Sequence, residues 1–205
     1  MKGTVALAFP LLLAANAASA AYQDRGGYVD AYYMPSAKQE VNRNSAPDDN
    51  TSGHGFGAHA IVPLTPLFVV TGEYQRATYD NFNTDQFRVG GGVQSSPDIA
   101  RLIAYAEYVN IKLDGENRSS GFGLHLRGTY DVMPALNLFG EVGYVNVSVN
   151  GSGSDGPEFL AGASYAFTPL IGVFADYRWT RIATNNEDKQ TLQDVRTGVR
   201  IYLTH

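Results

Sequence analysis

The chain has 205 residues, of which 44% are hydrophobic and only 17% charged, with a formal net charge of −5 and no cysteine. This length suits one domain of ordinary size. The acidic balance excludes a basic nucleic-acid-binding surface, and the lack of cysteine excludes a disulfide framework and thiolate chemistry.

The first twenty residues have the organisation of a secretory signal. Lys2 gives a positive start, Val5 to Ala15 form an uncharged apolar stretch, and Ala18-Ser19-Ala20 supplies the small residues of a peptidase site. We predict a signal peptide over residues 1–20 and a single domain over residues 21–205. A buried helix or a membrane anchor is the alternative, although the stretch is short for a bilayer span and Pro10 interrupts it.

Apolar and polar residues alternate with a period of two along the rest of the chain, which predicts β-strands. In the first strand, Ala37 falls on the parity of Val29, whereas Lys38 falls on the parity of Asp30. No apolar run of about 18 residues follows residue 20, so we expect no transmembrane helix. Ten strands are predicted, near residues 27–38, 53–64, 67–79, 84–95, 101–113, 119–132, 136–149, 158–167, 170–183 and 191–204.

The connections between these strands alternate in kind. Tight turns carry proline at Pro66, Pro97, Pro134 and Pro169, and longer polar stretches separate them at 39–52, 78–84, 114–120, 150–157 and 184–190. This alternation is typical of an up-and-down antiparallel transmembrane β-barrel with short periplasmic turns and longer external loops. The all-β prediction is therefore a single barrel of about ten strands, with eight possible if one hairpin lies outside the wall.

An acidic residue recurs once per predicted hairpin. Glu73, Glu107, Glu141 and Asp176 follow one another at intervals of 34, 34 and 35 residues, and Asp30 fits the same slot in the first strand. Parity places these acids and several arginines on the inward face, with His59 and His125 beside them. Unpaired buried charges are costly, so we expect a ladder or plug in a narrow lumen, with a hydrated pathway as the alternative. The predicted lumen charge network is Asp30, Glu73, Glu107, Glu141, Asp176, Arg88, Arg127, Arg178, Arg196 and Arg200.

Aromatic residues on the outward parity predict two bands at the membrane boundaries. The predicted upper girdle, near the long loops, is Tyr74, Tyr108, Tyr144, Tyr177 and Trp179. The predicted lower band, near the tight turns, is Phe68, Tyr130, Tyr165 and Phe167.

The sequence contains few patterns that indicate catalysis, a cofactor or a metal site. Asn81-x-Asn83-x-Asp85 resembles the start of a calcium loop, but the glycine at the sixth place and the glutamate at the twelfth are missing. His54 lies near a loop, where a rim hydrolase would need a histidine, yet no spacing selects a partner for it. We therefore predict no enzyme activity, no catalytic residue, no cofactor and no metal site.

Three features carry a family resemblance: the signal ending Ala18-Ser19-Ala20, the Thr-Pro turns, and the terminal alternation ending Ile201-Tyr202-Leu203. Together with the segment Asp85–Gly92, they make the chain similar to the opacity-type, porin-family small outer-membrane β-barrels. The resemblance implies export to the bacterial outer membrane and a role in envelope structure, adhesion or narrow transport. The chain departs from the usual terminal phenylalanine by ending in Leu203-Thr204-His205.

We expect an integral outer-membrane barrel with an envelope-structural or surface-interaction role and a charge-paired lumen. The alternatives are a narrow porin for small solutes, a rim hydrolase and a soluble periplasmic β-sandwich. The expected partners are outer-membrane lipid and lipopolysaccharide, and the barrel-assembly machinery during insertion. We expect a monomer and no binding to nucleic acid.

Overall fold

The computed structural model describes residues 27–42, 49–80, 82–95, 100–114, 118–149, 152–184 and 188–203. The predicted signal peptide lies outside the described residues, as does Asn81 of the segment that resembles a calcium loop. The described part of the chain contains no helix long and apolar enough to cross a bilayer.

Ten antiparallel strands form a closed barrel in which each strand pairs with its neighbours in sequence and β1 pairs with β10. This confirms the predicted fold and the count of ten. The strand ends at Asn42, Tyr79, Leu113, Val149 and Thr184 share one end of the barrel, here called the loop end, and the opposite end is called the turn end. The strands are β1 (Tyr28–Asn42), β2 (Asp49–Pro63), β3 (Phe68–Tyr79), β4 (Asn83–Gln94), β5 (Ala100–Leu113), β6 (Ser119–Met133), β7 (Leu136–Val149), β8 (Ser152–Ala166), β9 (Ile171–Thr184) and β10 (Lys189–Tyr202).

Threonine side chains close two of the tight turns that the sequence predicted. Thr65 Oγ1 accepts hydrogen bonds from the backbone N–H groups of Leu67 and Phe68, at 3.2 and 3.0 Å. Thr168 Oγ1 accepts equivalent bonds from Leu170 and Ile171, at 3.3 and 3.0 Å. Each hydroxyl thus satisfies backbone donors that the strand ladder leaves unpaired, which explains why Thr-Pro marks these turns.

Several strands reach further toward the loop end than predicted. β1 continues to Asn42, β2 begins at Asp49, and β8 begins at Ser152 rather than near residue 158. The ladder of backbone hydrogen bonds needs no apolar face, so it continues where hydrophobic alternation has ended. Alternation therefore marks the lipid-contacting part of a strand, and the predicted loop 150–157 was wrong for this reason.

A β-bulge in β1 reverses the predicted parity at the upper end of that strand. The register with both neighbouring strands shifts between Tyr33 and Ala37, around Pro35. Proline has no N–H to donate, so a bulge is a favourable place for it in a sheet. As a result Ala37 is buried in the lumen and Lys38 is exposed, the reverse of the prediction from strict alternation.

Candidate functional site

The centre of the lumen is filled by charged side chains. All ten residues of the predicted lumen charge network are inside the barrel and buried. Beneath them, at the turn end, an apolar layer crosses the lumen and includes Tyr28, Ile61, Ile103 and Tyr202. A void of only about 10 Å³ remains among the charged groups, room for one water molecule at most.

Two arginine–aspartate pairs join directly opposite residues of adjacent strands. Arg200 donates from Nε and Nη2 to the two Asp30 carboxylate oxygens at 2.8 and 2.9 Å. Arg196 binds Asp176 in the same two-pronged way, at 2.7 and 2.9 Å. Two parallel hydrogen bonds between a guanidinium and a carboxylate are stronger and more directional than one, which suits a buried pair.

Glu73 connects strands that are not neighbours. Its Oε1 accepts hydrogen bonds from Arg178 on β9 at 2.8 Å and from Arg196 on β10 at 3.1 Å, and also from the Tyr32 hydroxyl at 2.9 Å. Arg178 in turn reaches Asp194 at 3.1 Å and also contacts Gln75 on β3. These contacts pass through the lumen and tie β3 to the other side of the barrel.

A second bridge spans the lumen between β4 and β8. Arg88 donates through both terminal nitrogens to the two oxygens of Glu158, each at 2.8 Å. The same guanidinium binds Glu107 at 2.9 Å, and the Thr180 hydroxyl donates to Glu158 at 2.7 Å. Because every partner is buried, the bridge blocks the axis of the barrel at this height.

His125 lies between two carboxylates at the centre of the network. Its Nε2 is 3.1 Å from Glu107 Oε1, and its Nδ1 is 3.1 Å from Glu141 Oε1. A carboxylate only accepts hydrogen bonds, so both contacts are attractive only when both ring nitrogens carry a proton. The charge count agrees, because the described buried residues include seven acids and six arginines. We therefore describe His125 as an imidazolium that completes the network.

The atoms of His125, Glu141 and Glu158 also lie within 4.8 Å of one another, a spacing that could accommodate a metal ion. However, Arg88 already binds both oxygens of Glu158, and Arg127 Nη1 lies 3.3 Å from Glu141 Oε2. A divalent cation would stand among these guanidinium groups and displace them from their carboxylates. The donor set fits an ionic network better than a metal centre.

Two glycines create the slot that holds the His125 ring. A Cβ atom at Gly143 would lie 2.2 Å from His125 Nδ1, and one at Gly123 would lie 2.5 Å from Nε2. The ring also stacks on Tyr105, with centroids 4.9 Å apart. These glycines are needed for the space that they leave, not for backbone flexibility.

Replacing Gly143 with alanine should therefore displace His125 and lower the free energy of unfolding by about 1–3 kcal/mol, as overpacking of a filled core does. Gly72→Ala is the matched control, because the nearest atom to its added Cβ would be Arg88 O at 4.0 Å. Urea unfolding of the refolded barrel in lipid measures the difference. Equal stabilities for the two variants would show that the slot is not tight.

Among the described residues, three buried acids and arginines were absent from the predicted network: Arg101, Glu158 and Asp194. Asp194 shares the inward parity of Arg196 and Arg200, so alternation alone was enough to include it. Glu158 was placed at the boundary of a predicted loop because Gly156 and Pro157 precede it. Gly156 and Pro157 do not pair with β9, but the strand continues through them.

The predicted upper girdle faces outward, and its hydroxyl groups have polar partners. Tyr74 donates to Asp85 at 2.9 Å, Tyr177 donates to Gln193 at 2.9 Å, and Tyr144 donates to Asp155. The Tyr108 hydroxyl accepts a hydrogen bond from Asn110 at 3.4 Å. Trp179 is half-buried beside Phe159, with ring centroids 5.6 Å apart. Rings with a bonded polar tip above an apolar wall fit a membrane boundary.

Above the charged network, the lumen opens into a cavity of about 190 Å³ at the loop end. Its floor contains Gln75, Gln86, Arg88, Arg178 and Asp194. Aliphatic and aromatic side chains line much of its wall: Tyr79, Ile111, Val147, Ile182 and Leu192.

His54 lies on the outward face of β2, exposed to the surroundings of the barrel. Its ring is 6.4 Å from that of Tyr33, and within the described ranges it makes no hydrogen bond or ion pair with a carboxylate. The side chain therefore does not meet an acid in the described part of the rim.

A closed barrel with an apolar outer wall, aromatic rings near the loop end and a charged interior defines a bacterial outer-membrane β-barrel protein. A curated relative supports this class: the chain is 25% identical over 206 residues to outer membrane protein P5 of Haemophilus influenzae. That match covers 88% of the chain, which spans about half (52%) of the length of the relative. The chain is accordingly a Gram-negative outer-membrane protein.

One solved structure has a similar fold, and a second was compared with the chain. The outer membrane protease OmpT of Escherichia coli superposes with a TM-score of 0.60 at 10% identity, covering 86% of this chain and 96% of that one. Neisserial surface protein A has a TM-score of 0.38 at 16% identity, with 86% and 96% covered. No protein-family model matches the chain.

Proposed function

We propose that this protein is a closed, monomeric outer-membrane barrel with an envelope-structural and surface-interaction role and no enzyme activity. The observation that carries the proposal is the pair of bridges through the lumen, in which Arg88 meets Glu158 and Glu73 meets Arg178 and Arg196. A solute path would have to separate these buried charges, which is costly for each carboxylate left unpaired.

The wall and the loop end are the parts through which such a barrel acts. Its apolar outer wall would hold it among outer-membrane lipid and lipopolysaccharide after insertion by the barrel-assembly machinery. Its strands extend beyond the upper girdle at the loop end, where β1 presents Asn42 and β2 presents Asp49, Asn50 and Ser52. Exposed polar surface of this kind is available for contacts with other envelope or external molecules.

Planar-bilayer recordings test whether the lumen is closed. We expect the refolded wild-type barrel to give no steady openings, and the double variant Arg88→Ala, Glu158→Ala to give at most brief ones, because the Glu73–Arg178 contact and the apolar layer at the turn end still cross the lumen. The variant Asp49→Ala, Lys112→Ala is the matched control, because it also removes one acid and one base but from exposed positions. Steady conductance from the wild type would contradict the proposal.

A narrow porin is the second candidate, favoured by the cavity of about 190 Å³ that already opens at the loop end. In this alternative the bridges would rearrange to let a small solute pass toward the turn end. The same recordings separate the two functions, since a porin conducts without substitution.

A further inference from the structure

An apolar groove lies on the outer wall of the barrel, between β5 and β9. Its volume is about 410 Å³. Gly128, Gly140 and Ala161 form its floor at directly opposite register positions. A Cβ atom at Gly140 would have no neighbour closer than Leu160 O at 3.7 Å, and one at Gly128 would lie 3.6 Å from Leu102 Cδ2. The floor could therefore carry larger side chains, yet the space is left open.

The groove slopes upward along the wall. Its floor runs from Leu102, near the turn end of β5, across the small residues to Tyr177, midway along β9. Four strand spacings give it a length of about 19 Å. Half of the hydrocarbon core of a bilayer is about 15 Å thick, so an inclined acyl chain from a single leaflet fits this length. Its upper wall consists of Leu126, Val142, Phe159 and Trp179.

Unpaired cations lie above the upper end of the groove. Arg181 is on the outward parity of β9, two residues beyond Trp179, and is exposed. Lys189 lies beyond it on β10, opposite Ala183, and is also exposed. Within the ranges that the structure describes, neither side chain makes a hydrogen bond or an ion pair. An anionic group at this height would meet both.

The distribution of positive charge over the whole described chain is one-sided. The described arginines inside the lumen are Arg88, Arg101, Arg127, Arg178, Arg196 and Arg200. All other described basic residues lie at the loop end: Lys38, Arg76, Lys112, Arg118, Arg181 and Lys189. Among the described residues, the outer wall at the turn end therefore carries no lysine or arginine, and only the loop end suits an anionic headgroup.

We propose that the groove and Arg181 form a binding site for a phosphorylated glycolipid of the outer leaflet, the lipid A part of lipopolysaccharide. One acyl chain lies in the groove, Phe159 and Trp179 cover its upper part, and a phosphate is bound by Arg181 and Lys189. The inference deepens the proposed function and rests on its orientation, in which the loop end faces outward.

Trp179 is the only tryptophan of the chain, and it borders the groove, so its fluorescence reports on occupancy. Refolded full-length protein in detergent micelles is titrated with diphosphorylated lipid A, and bound lipid is counted in parallel by native mass spectrometry. We expect a saturable change with one lipid bound. Gly140→Leu should weaken binding about fivefold, the factor for roughly ten lost van der Waals contacts between the acyl chain and the filled groove floor. Gly72→Leu, on the outward face of β3, is the control and should bind normally.

Removal of a positive charge tests the proposed contact with the lipid phosphate. Arg181→Gln should weaken binding of diphosphorylated lipid A about fivefold, the factor for one basic side chain at a membrane surface, and leave dephosphorylated lipid A unaffected. Arg76→Gln, on β3, should change neither. Inorganic phosphate alone should not alter the fluorescence, because it lacks the acyl chain.

Several results would overturn the site: equal effects of Gly140→Leu and Gly72→Leu, equal binding of phosphatidylglycerol, or a barrel dimer that Gly140→Leu dissociates. Such a dimer would mean that a second copy of the chain, and not a lipid, occupies the groove. If the barrel stays closed in bilayer recordings but these substitutions leave lipid A binding unchanged, the proposed function stands and this binding site is ruled out.

Discussion

Glu158→Leu should lower the free energy of unfolding by about 3–5 kcal/mol, the usual cost of leaving a buried charge without its partner. Arg88 would lose both hydrogen bonds to β8 and keep the one to Glu107, while the Thr180 hydroxyl would lose its acceptor. The loss should appear as a lower midpoint in urea and as a lower temperature for the gel shift between folded and unfolded forms.

Adding Arg88→Met to Glu158→Leu should restore part of the stability, because an apolar pair of similar volume is often tolerated where one lone charge is not. The double-mutant cycle then gives a coupling energy for the bridge. Asp49→Leu, on an exposed acid at the loop end, should change stability by no more than about 0.5 kcal/mol. If Glu158→Leu were as stable as Asp49→Leu, Glu158 would not be part of a buried bridge.

The face of the sheet on which each charge lies could be predicted from the sequence. Side chains alternate along a strand whatever its neighbours are, so Glu73, Glu107 and Arg88 were assigned to the lumen by parity alone. The same argument failed at Ala37 and Lys38, because the bulge at Pro35 adds a residue that changes the parity. A bulge depends on how two strands pair, and alternation within one strand does not record it.

The partner of each charge was less predictable. Neighbouring pairs such as Asp30 with Arg200 require the register between two strands. Bridges such as Arg88 with Glu158 also require the stagger and width of the closed barrel, because β4 and β8 are not adjacent. The sequence therefore indicated that a network would form but not which strands it would tie together.

The groove could not be predicted from the sequence, for a related reason. Gly128, Gly140 and Ala161 are ordinary small residues within three different strands, and only the register aligns them. Likewise, the one-sided distribution of cations depends on knowing that strands reach the loop end beyond the predicted boundaries. The groove depends on the relation between strands, and the cation distribution depends on strand ends that apolar alternation does not mark.

Two buried aspartate–arginine pairs allow the order of barrel formation to be tested. Asp30 and Arg200 join β1 to β10 and are 170 residues apart, whereas Asp176 and Arg196 join β9 to β10 and are 20 residues apart. Both pairs have the same two-pronged geometry, and both acids are buried. Asp30→Leu and Asp176→Leu should therefore each lower the free energy of unfolding by about 3–5 kcal/mol.

The two variants should differ in their folding and unfolding kinetics. Contacts between distant residues require more loop closure, so pairing of the first and last strands should follow the rate-limiting step of folding. Asp30→Leu is then expected mainly to speed unfolding, whereas Asp176→Leu, within a hairpin, is expected to slow folding. Folding and unfolding rates in lipid vesicles, followed by Trp179 fluorescence, separate these cases. If Asp30→Leu slowed folding as much as Asp176→Leu, β1 and β10 would already be paired at the rate-limiting step. Pairing of the first and last strands would then be an early event in folding and not the last one.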